Sequence, residues 1–221
     1  MLSIIIPTLN AEATLPQVLS CCSDAHDMLI VDGGSTDTTT RIATDFGAQV
    51  VMSEPGRGRQ LALGADHAKT SWMLFLHADT RLPKDWQADV ERFISQKRNQ
   101  GLAAYFRLAF DSTGGGAHRV AALANWRAQT LGLPYGDQGL LIHKDLYNQV
   151  GGYRTDQNLM EDVDLVRRIG PMRLKPLRAT ITTSATKYHR DGWWGRPLTN
   201  LTCLTLYLLG ARQSWIERLY R

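Results

Sequence analysis

A chain of 221 residues with 43% hydrophobic and 21% charged side chains can bury a substantial core, as one large domain or two small ones, and lies outside the disordered class. Its cysteines, Cys21, Cys22 and Cys203, match neither a disulfide framework nor a zinc spacing and suit a reducing compartment. The net charge of +4 conceals an asymmetry: residues 1–166 carry 14 basic and 19 acidic side chains, and residues 167–221 carry 11 and 2. Such a tail suits phosphates, anionic lipid or nucleic acid, or is simply solvated.

Residues 2–6 form a short apolar run with no basic segment before it, read as an opening strand rather than a signal peptide, with a cytoplasmic location expected. Further β-rich runs at 28–31, 48–52 and 72–76 alternate with helical stretches at 13–22, 37–46 and 58–68. Strands separated by single helices imply right-handed crossovers and a mainly parallel sheet flanked by helices, an α/β nucleotide-binding architecture. A helix is expected over 84–96, a strand over 102–110, a flexible turn at Gly114-Gly115-Gly116, a helix over 117–131 and a strand at 140–142. The expected organisation is one domain over 1–190, with an amphipathic helical extension over 191–221 packed on it.

In such sheets ligands bind beyond the carboxyl ends of the strands, and polar motifs stand there. The first run is followed by Pro7-Thr8-Leu9-Asn10-Ala11-Glu12 and the second by Asp32-Gly33-Gly34-Ser35-Thr36-Asp37. The Asp32 carboxylate can accept from a base N–H or ribose hydroxyls, or can close an Asx-turn; Thr8, Asn10 and Glu12 converge on it. Gly56-Arg57-Gly58-Arg59 before a helix suits a phosphate or diphosphate. After the fourth run, His77 and Asp79 point to the same side of an extended segment. Asp79 suits Mg²⁺ or Mn²⁺ shared with diphosphate oxygens, and His77 a second ligand, a phosphate donor or a structural residue. Glu161-Asp162-Val163-Asp164 either complements a helix N-terminus or supplies a general base, with Asp162 preferred over Glu161.

In this order, Ile4-Ile5-Ile6-Pro7-Thr8-Leu9-Asn10, Val31-Asp32-Gly33-Gly34-Ser35-Thr36-Asp37, Gly56-Arg57-Gly58-Arg59, Phe75-Leu76-His77-Ala78-Asp79 and Glu161-Asp162 resemble family 2 glycosyltransferases. These are inverting nucleotide-sugar enzymes of the GT-A fold, and the resemblance spans roughly residues 1–190. Within the family the chain looks most like the short bacterial branch of radical-SAM/selenodomain-associated transferases, with its His-Ala-Asp-Thr and Gly-Asp-Gln-Gly elements, here Gly136-Asp137-Gln138-Gly139. The resemblance implies transfer of a sugar from a UDP- or GDP-linked donor to an unidentified acceptor hydroxyl. Pro7, Thr8, Asn10, Glu12, Asp32 and Gly34 would line the nucleoside side, Arg59 the donor phosphate or ribose, and Asp79 the metal. Asp162, beside Glu161, would be the base, with Asp137, Gln138 and Trp193 on the acceptor side. The usual Asp-X-Asp element is replaced here by His77-Ala78-Asp79, and His189 is the candidate late-loop metal ligand.

Trp193, Trp194, Arg190 and Arg196 form either a lid or a packing anchor. Residues 198–209 are leucine-rich but too short to span a bilayer. Leu201, Leu204, Leu208, Trp215 and Leu219 repeat at helical spacing, so the extension suits packing on the core, a homodimer, or peripheral contact with the inner membrane. A nucleotidyltransferase would need a longer lysine-bearing glycine loop after the first strand. A nucleic-acid-binding module would need a basic-aromatic motif, so no nucleic-acid partner is expected.

Overall fold

The computed structural model describes residues 1–22, 27–157 and 159–220. Strands β1 (Leu2–Thr8), β2 (Asp27–Asp32), β3 (Gln49–Met52) and β4 (Trp72–Phe75) alternate with helices α1 (Leu15–Cys21), α2 (Thr39–Asp45) and α3 (Arg57–His67). Then follow α4 (Trp86–Ile94), β5 (Ala103–Phe110), α5 (Gly115–Leu131), β6 (Leu140–His143), α6 (Lys144–Gln149), α7 (Glu161–Ile169) and β7 (Leu174–Thr183). Three helices close the chain: α8 (Thr186–Asp191), α9 (Gly195–Leu208) and α10 (Gln213–Tyr220).

The strands form one sheet in the order β3-β2-β1-β4-β6-β5-β7. β1 to β4 pair in parallel, β6 runs antiparallel to both its neighbours, and β7 is parallel to β5. This is the mainly parallel α/β sheet expected from the sequence. Helices cover both faces, so the inner strands are apolar without interruption: Ile4 and Ile6 join Leu15, Leu19 and Val90 on one face, and Ile5 joins Leu61, Leu146 and Leu165 on the other. A third cluster, Met160 and Val163 with Cys203, Leu204 and Ile216, fixes α9 and α10 to α7.

α6 has no counterpart in the sequence expectation, and three further segments differ from it. The glycine triplet is not a turn: Gly115 and Gly116 lie inside α5, and a Cβ on Gly116 would stand 2.6 Å from the Trp193 ring. Glycine there lets Trp193 lie on the helix. The stretch around His189, read as a loop, is α8. β7 has no counterpart among the expected strands, because its outward positions Lys175, Pro176 and Arg178 mask an alternating buried face of Leu177, Ala179 and Ile181.

Candidate active site

The carboxyl ends of β1 and β2 carry a closed hydrogen-bond network centred on Asp32. Its Oδ1 accepts from the Gly34 and Ser35 N–H groups at 3.0 and 2.7 Å, and its Oδ2 from the Thr8 and Ser35 hydroxyls at 2.9 and 2.5 Å. Asp32 is 0% exposed. The Asx-turn is therefore realised, and its carboxylate shapes the loop rather than facing a ligand. Gly34 takes φ 92°, which only glycine adopts readily.

Asn10 and Glu12 complete this rim. Asn10 Oδ1 accepts from the Thr36 N–H, and Glu12 Oε2 accepts from the Thr38 N–H and hydroxyl. Pro7 is buried in the strand. The convergence expected of Pro7, Thr8, Asn10, Glu12, Asp32 and Gly34 is present, as two loops stitched to each other. Gln60 belongs with them and escaped the sequence reading. Its buried amide donates to the Thr8 and Val31 carbonyls, each at 2.8 Å, locking the two strand ends together. The close approach of Gly33, where a Cβ would meet this amide at 3.1 Å, is a signal visible only in three dimensions.

At the start of α3 the two arginines diverge, because residues two apart on a helix point about 200° apart. Arg59 pairs with Glu54 on the outside. Arg57 turns into a cavity and reaches Glu161, Nε to Oε1 3.4 Å. The arginine facing the site is thus Arg57, a correction to the choice of Arg59. Gly58 is buried between them; a side chain there would strike the carbonyls of Arg154 and Gln157, so the segment leading into α7 rests directly on α3.

The cavity also receives His77 and Asp79 from the end of β4, Asp137 from the loop before β6, and Glu161 and Asp162 from the first turn of α7. The Gly136 N–H donates to Asp162 Oδ2 at 2.6 Å and the Val163 N–H to Oδ1 at 2.7 Å. The His77 ring lies 2.5 Å from where a Cβ on Gly136 would stand, so Gly136 keeps histidine and carboxylate close. Among the described residues, the two non-glycine positions with left-handed backbone are Asn10 and Met160, one at each end of the site.

This arrangement concentrates carboxyl groups. Burial raises Glu161 to about 8, reinforced by the Asp162 charge and opposed by Arg57. Burial also raises Asp137 to about 6, opposed by Arg127 and reinforced by Asp162 and Asp79. Asp137 Oδ1 is buried without a hydrogen-bond partner. An orphaned oxygen beside Asp79 and His77 fits a hard divalent cation, which relieves such crowding and prefers oxygen ligands.

Three expected site residues lie elsewhere. Gln138 is fully buried, its amide donating to the Phe106 carbonyl and its Oε1 accepting from Arg127, so it supports the loop instead of lining the acceptor side. Trp193 stacks on Tyr188 at 5.2 Å and edges onto Phe110, anchoring the chain against α5. His189 packs edge-on against Trp193 at 5.5 Å and does not line the cavity. Among the described residues no group of three or more His, Cys, Asp or Glu side chains is spaced to hold a metal ion. The trio Asp79, His77 and His189 is not assembled, because α8 carries its histidine away. Tyr188, Arg196, Asn200 and Tyr220 form the cavity's other wall; of these only Arg196 stands out in the sequence, in the run read as a lid or a packing anchor.

The family model for glycosyl transferase family 2 matches residues 3–155. A PGL/p-HBAD biosynthesis glycosyltransferase of Mycobacterium tuberculosis is 32% identical over 180 residues, covering 74% of this chain and 67% of the relative. Among solved structures, Staphylococcus aureus TarS superposes with a TM-score of 0.64 at 15% identity, over 99% of this chain and 69% of that one. Glucosyl-3-phosphoglycerate synthase from M. tuberculosis, in complex with Mn²⁺, UDP-glucose and phosphoglyceric acid, superposes with 0.56 at 18% identity, over 83% and 70%. These structural likenesses establish a shared GT-A fold.

Proposed function

The chain belongs to glycosyl transferase family 2 and is a glycosyltransferase, and on that premise we propose that it moves a sugar from a UDP- or GDP-linked donor to an acceptor hydroxyl with inversion at the anomeric carbon. The observation that carries this reading is a cavity beyond β4 that joins Arg57, His77, Asp79 and Asp162. The nucleoside lies along the rim formed by the loops after β1 and β2, shaped by Thr8, Asn10, Glu12 and Asp32. The Arg57 guanidinium faces the donor diphosphate and offsets charge gathering on it as the glycosidic bond breaks.

Asp79 would hold Mg²⁺ or Mn²⁺ together with oxygens of the donor diphosphate, since no protein trio is spaced to do so among the described residues; the ion would supply Lewis-acid stabilisation of the leaving diphosphate. Asp162, oriented by the Gly136 N–H, takes the proton of the acceptor hydroxyl as its oxygen attacks the anomeric carbon from the face opposite the leaving group. One displacement inverts the centre, and no enzyme nucleophile is needed. Asp137 and Tyr188 stand on the acceptor side. We take residues 1–190 as the catalytic unit and 191–221 as its helical extension. The His77-Ala78-Asp79-Thr80 and Gly136-Asp137-Gln138-Gly139 elements support placement in the short bacterial radical-SAM/selenodomain-associated branch, and the cysteine pattern supports a cytoplasmic location.

A thermal-shift panel of UDP- and GDP-sugars, with and without Mn²⁺, tests the donor site. At least one is expected to raise Tm by about 5 °C or more near saturation in a metal-dependent way, and Asp79→Ala to abolish that dependence. No response to any nucleotide sinks the reading. The two arginines separate its geometry: Arg57→Ala is expected to weaken nucleotide diphosphate binding about tenfold, the scale of one charge-assisted hydrogen bond, and Arg59→Ala less than about twofold. Calorimetric titration of both variants decides between them.

A further inference from the structure

α9 is apolar on two sides. Cys203 and Leu204 bury against α7 and α10, whereas Leu198 and Leu201, with Leu209 at the helix end, remain open, and residues 197–211 contain no charged side chain. Thr202 and Thr205 share that open side, their hydroxyls donating back to the Leu198 and Leu201 carbonyls, so the leucines there stand without a covering element. The open face continues beyond α9. The Arg119 guanidinium of α5 lies 5.4 Å from the ring centre of Trp194, at the start of α9, and so joins the outer face of α5, with Trp126, to the leucine stripe. Leu198, Leu201, Leu209, Trp126, Trp194 and Trp215 are all 56–78% exposed. An apolar surface of this kind on a folded chain marks an interaction site.

Its charge identifies the partner. The exposed basic side chains here are Arg119 of α5, Arg190 of α8, and Arg212 and Arg218 before and within α10, against the half-buried Asp191 and Glu217; Arg127 and Arg196 turn inward, to the Leu133 carbonyl and to Asp191. A two-fold dimer through this face would set two such surfaces against each other at a Coulombic cost. An anionic lipid surface complements both features, taking leucine and tryptophan at the acyl boundary and arginine at the headgroups. No described helix is long and apolar enough to cross a membrane, so contact of these helices is in the plane of the interface.

We infer that α5, α9 and α10 form a docking surface for an anionic membrane, and that the acceptor hydroxyl is carried by a membrane-bound molecule. The second clause rests on the glycosyl-transfer reading above. It follows because Arg196, Asn200 and Tyr220 of the same helices line the catalytic cavity on their inner side. Docking would therefore bring the cavity within about one helix diameter, roughly 10 Å, of the headgroups.

The test is flotation of the full chain with phosphatidylcholine vesicles, with and without about 30 mol% phosphatidylglycerol, alongside light scattering and the nucleotide-sugar thermal shift. Expected is binding to anionic vesicles that is weakened by high salt. The double variant Leu198→Glu/Leu201→Glu should bind about tenfold or more weakly, with its nucleotide-sugar shift intact as evidence that it folds. Failure of the parent protein to float with anionic vesicles, or equal binding by the variant, overturns the docking surface. So does a dimeric parent that the variant turns into a monomer. Vesicle binding without any nucleotide response overturns the acceptor clause and the donor reading while leaving the docking surface standing.

Discussion

Asp162→Asn is expected to lower turnover by about 10²–10⁴-fold, the range for loss of a general base, while nucleotide-sugar affinity stays within about twofold. Two backbone N–H groups already bind this carboxylate, from Gly136 and Val163. A carboxylate offers about four lone-pair sites, so acceptor capacity remains for a hydroxyl proton. Asparagine keeps the shape and one acceptor oxygen, and removes the basicity. Glu161 is a poorer candidate despite its adjacency, since it is 2% exposed, directed at Arg57, and raised by burial to about 8. The measurement is sugar-donor turnover, followed as nucleotide release, against affinity for the donor by calorimetry. A variant that loses affinity in proportion to turnover would place Asp162 in the donor site instead of on the acceptor proton.

The elements most legible in the sequence are those whose pattern needs no partner to interpret. β1 and β2 read as strands because both of their faces are covered, leaving unbroken apolar runs such as Ile4-Ile5-Ile6 and Leu29-Ile30-Val31. The polar motifs after them locate the site edge for the same reason, since sheet topology fixes where strand ends go. What depends on rotation about an axis is hidden. Arg57 and Arg59 are chemically equivalent in the sequence, and only the phase of α3 sends one to Glu161 and the other to Glu54. Asp32 was found by its position, but whether its oxygens face a ligand or Thr8, Gly34 and Ser35 depends on the path of the loop. β7 was lost among its own charges. His189 and Trp193 sit in a promising run of residues, yet packing of Trp193 on Gly116 and Tyr188 directs both away from the cavity wall.

Stability is expected to fall as pH rises toward about 8, and Glu161→Gln to remove the upper part of that fall. Glu161 ordinarily titrates near 4.5, and in the fold its burial, with Asp162 alongside, raises it to about 8. Between those values the unfolded chain has lost its proton and the folded chain retains it, so the folded state binds more protons and loses stability with each increment of pH. Below about 4.5 both states are protonated and no penalty exists; above about 8 the penalty is complete, on the order of a few kcal/mol by linkage. Asp137, raised from 3.8 to about 6, contributes a slope of the same sign that ends earlier, so the interval above about 6 isolates Glu161. Glutamine keeps the volume and stays neutral throughout. The Tm of the parent should therefore drop between about pH 6 and pH 8 while that of Glu161→Gln changes little, and the variant should overtake the parent at the upper end. Equal slopes for the two proteins would show that Arg57 holds Glu161 ionised, the ion pair outweighing the burial of its carboxylate.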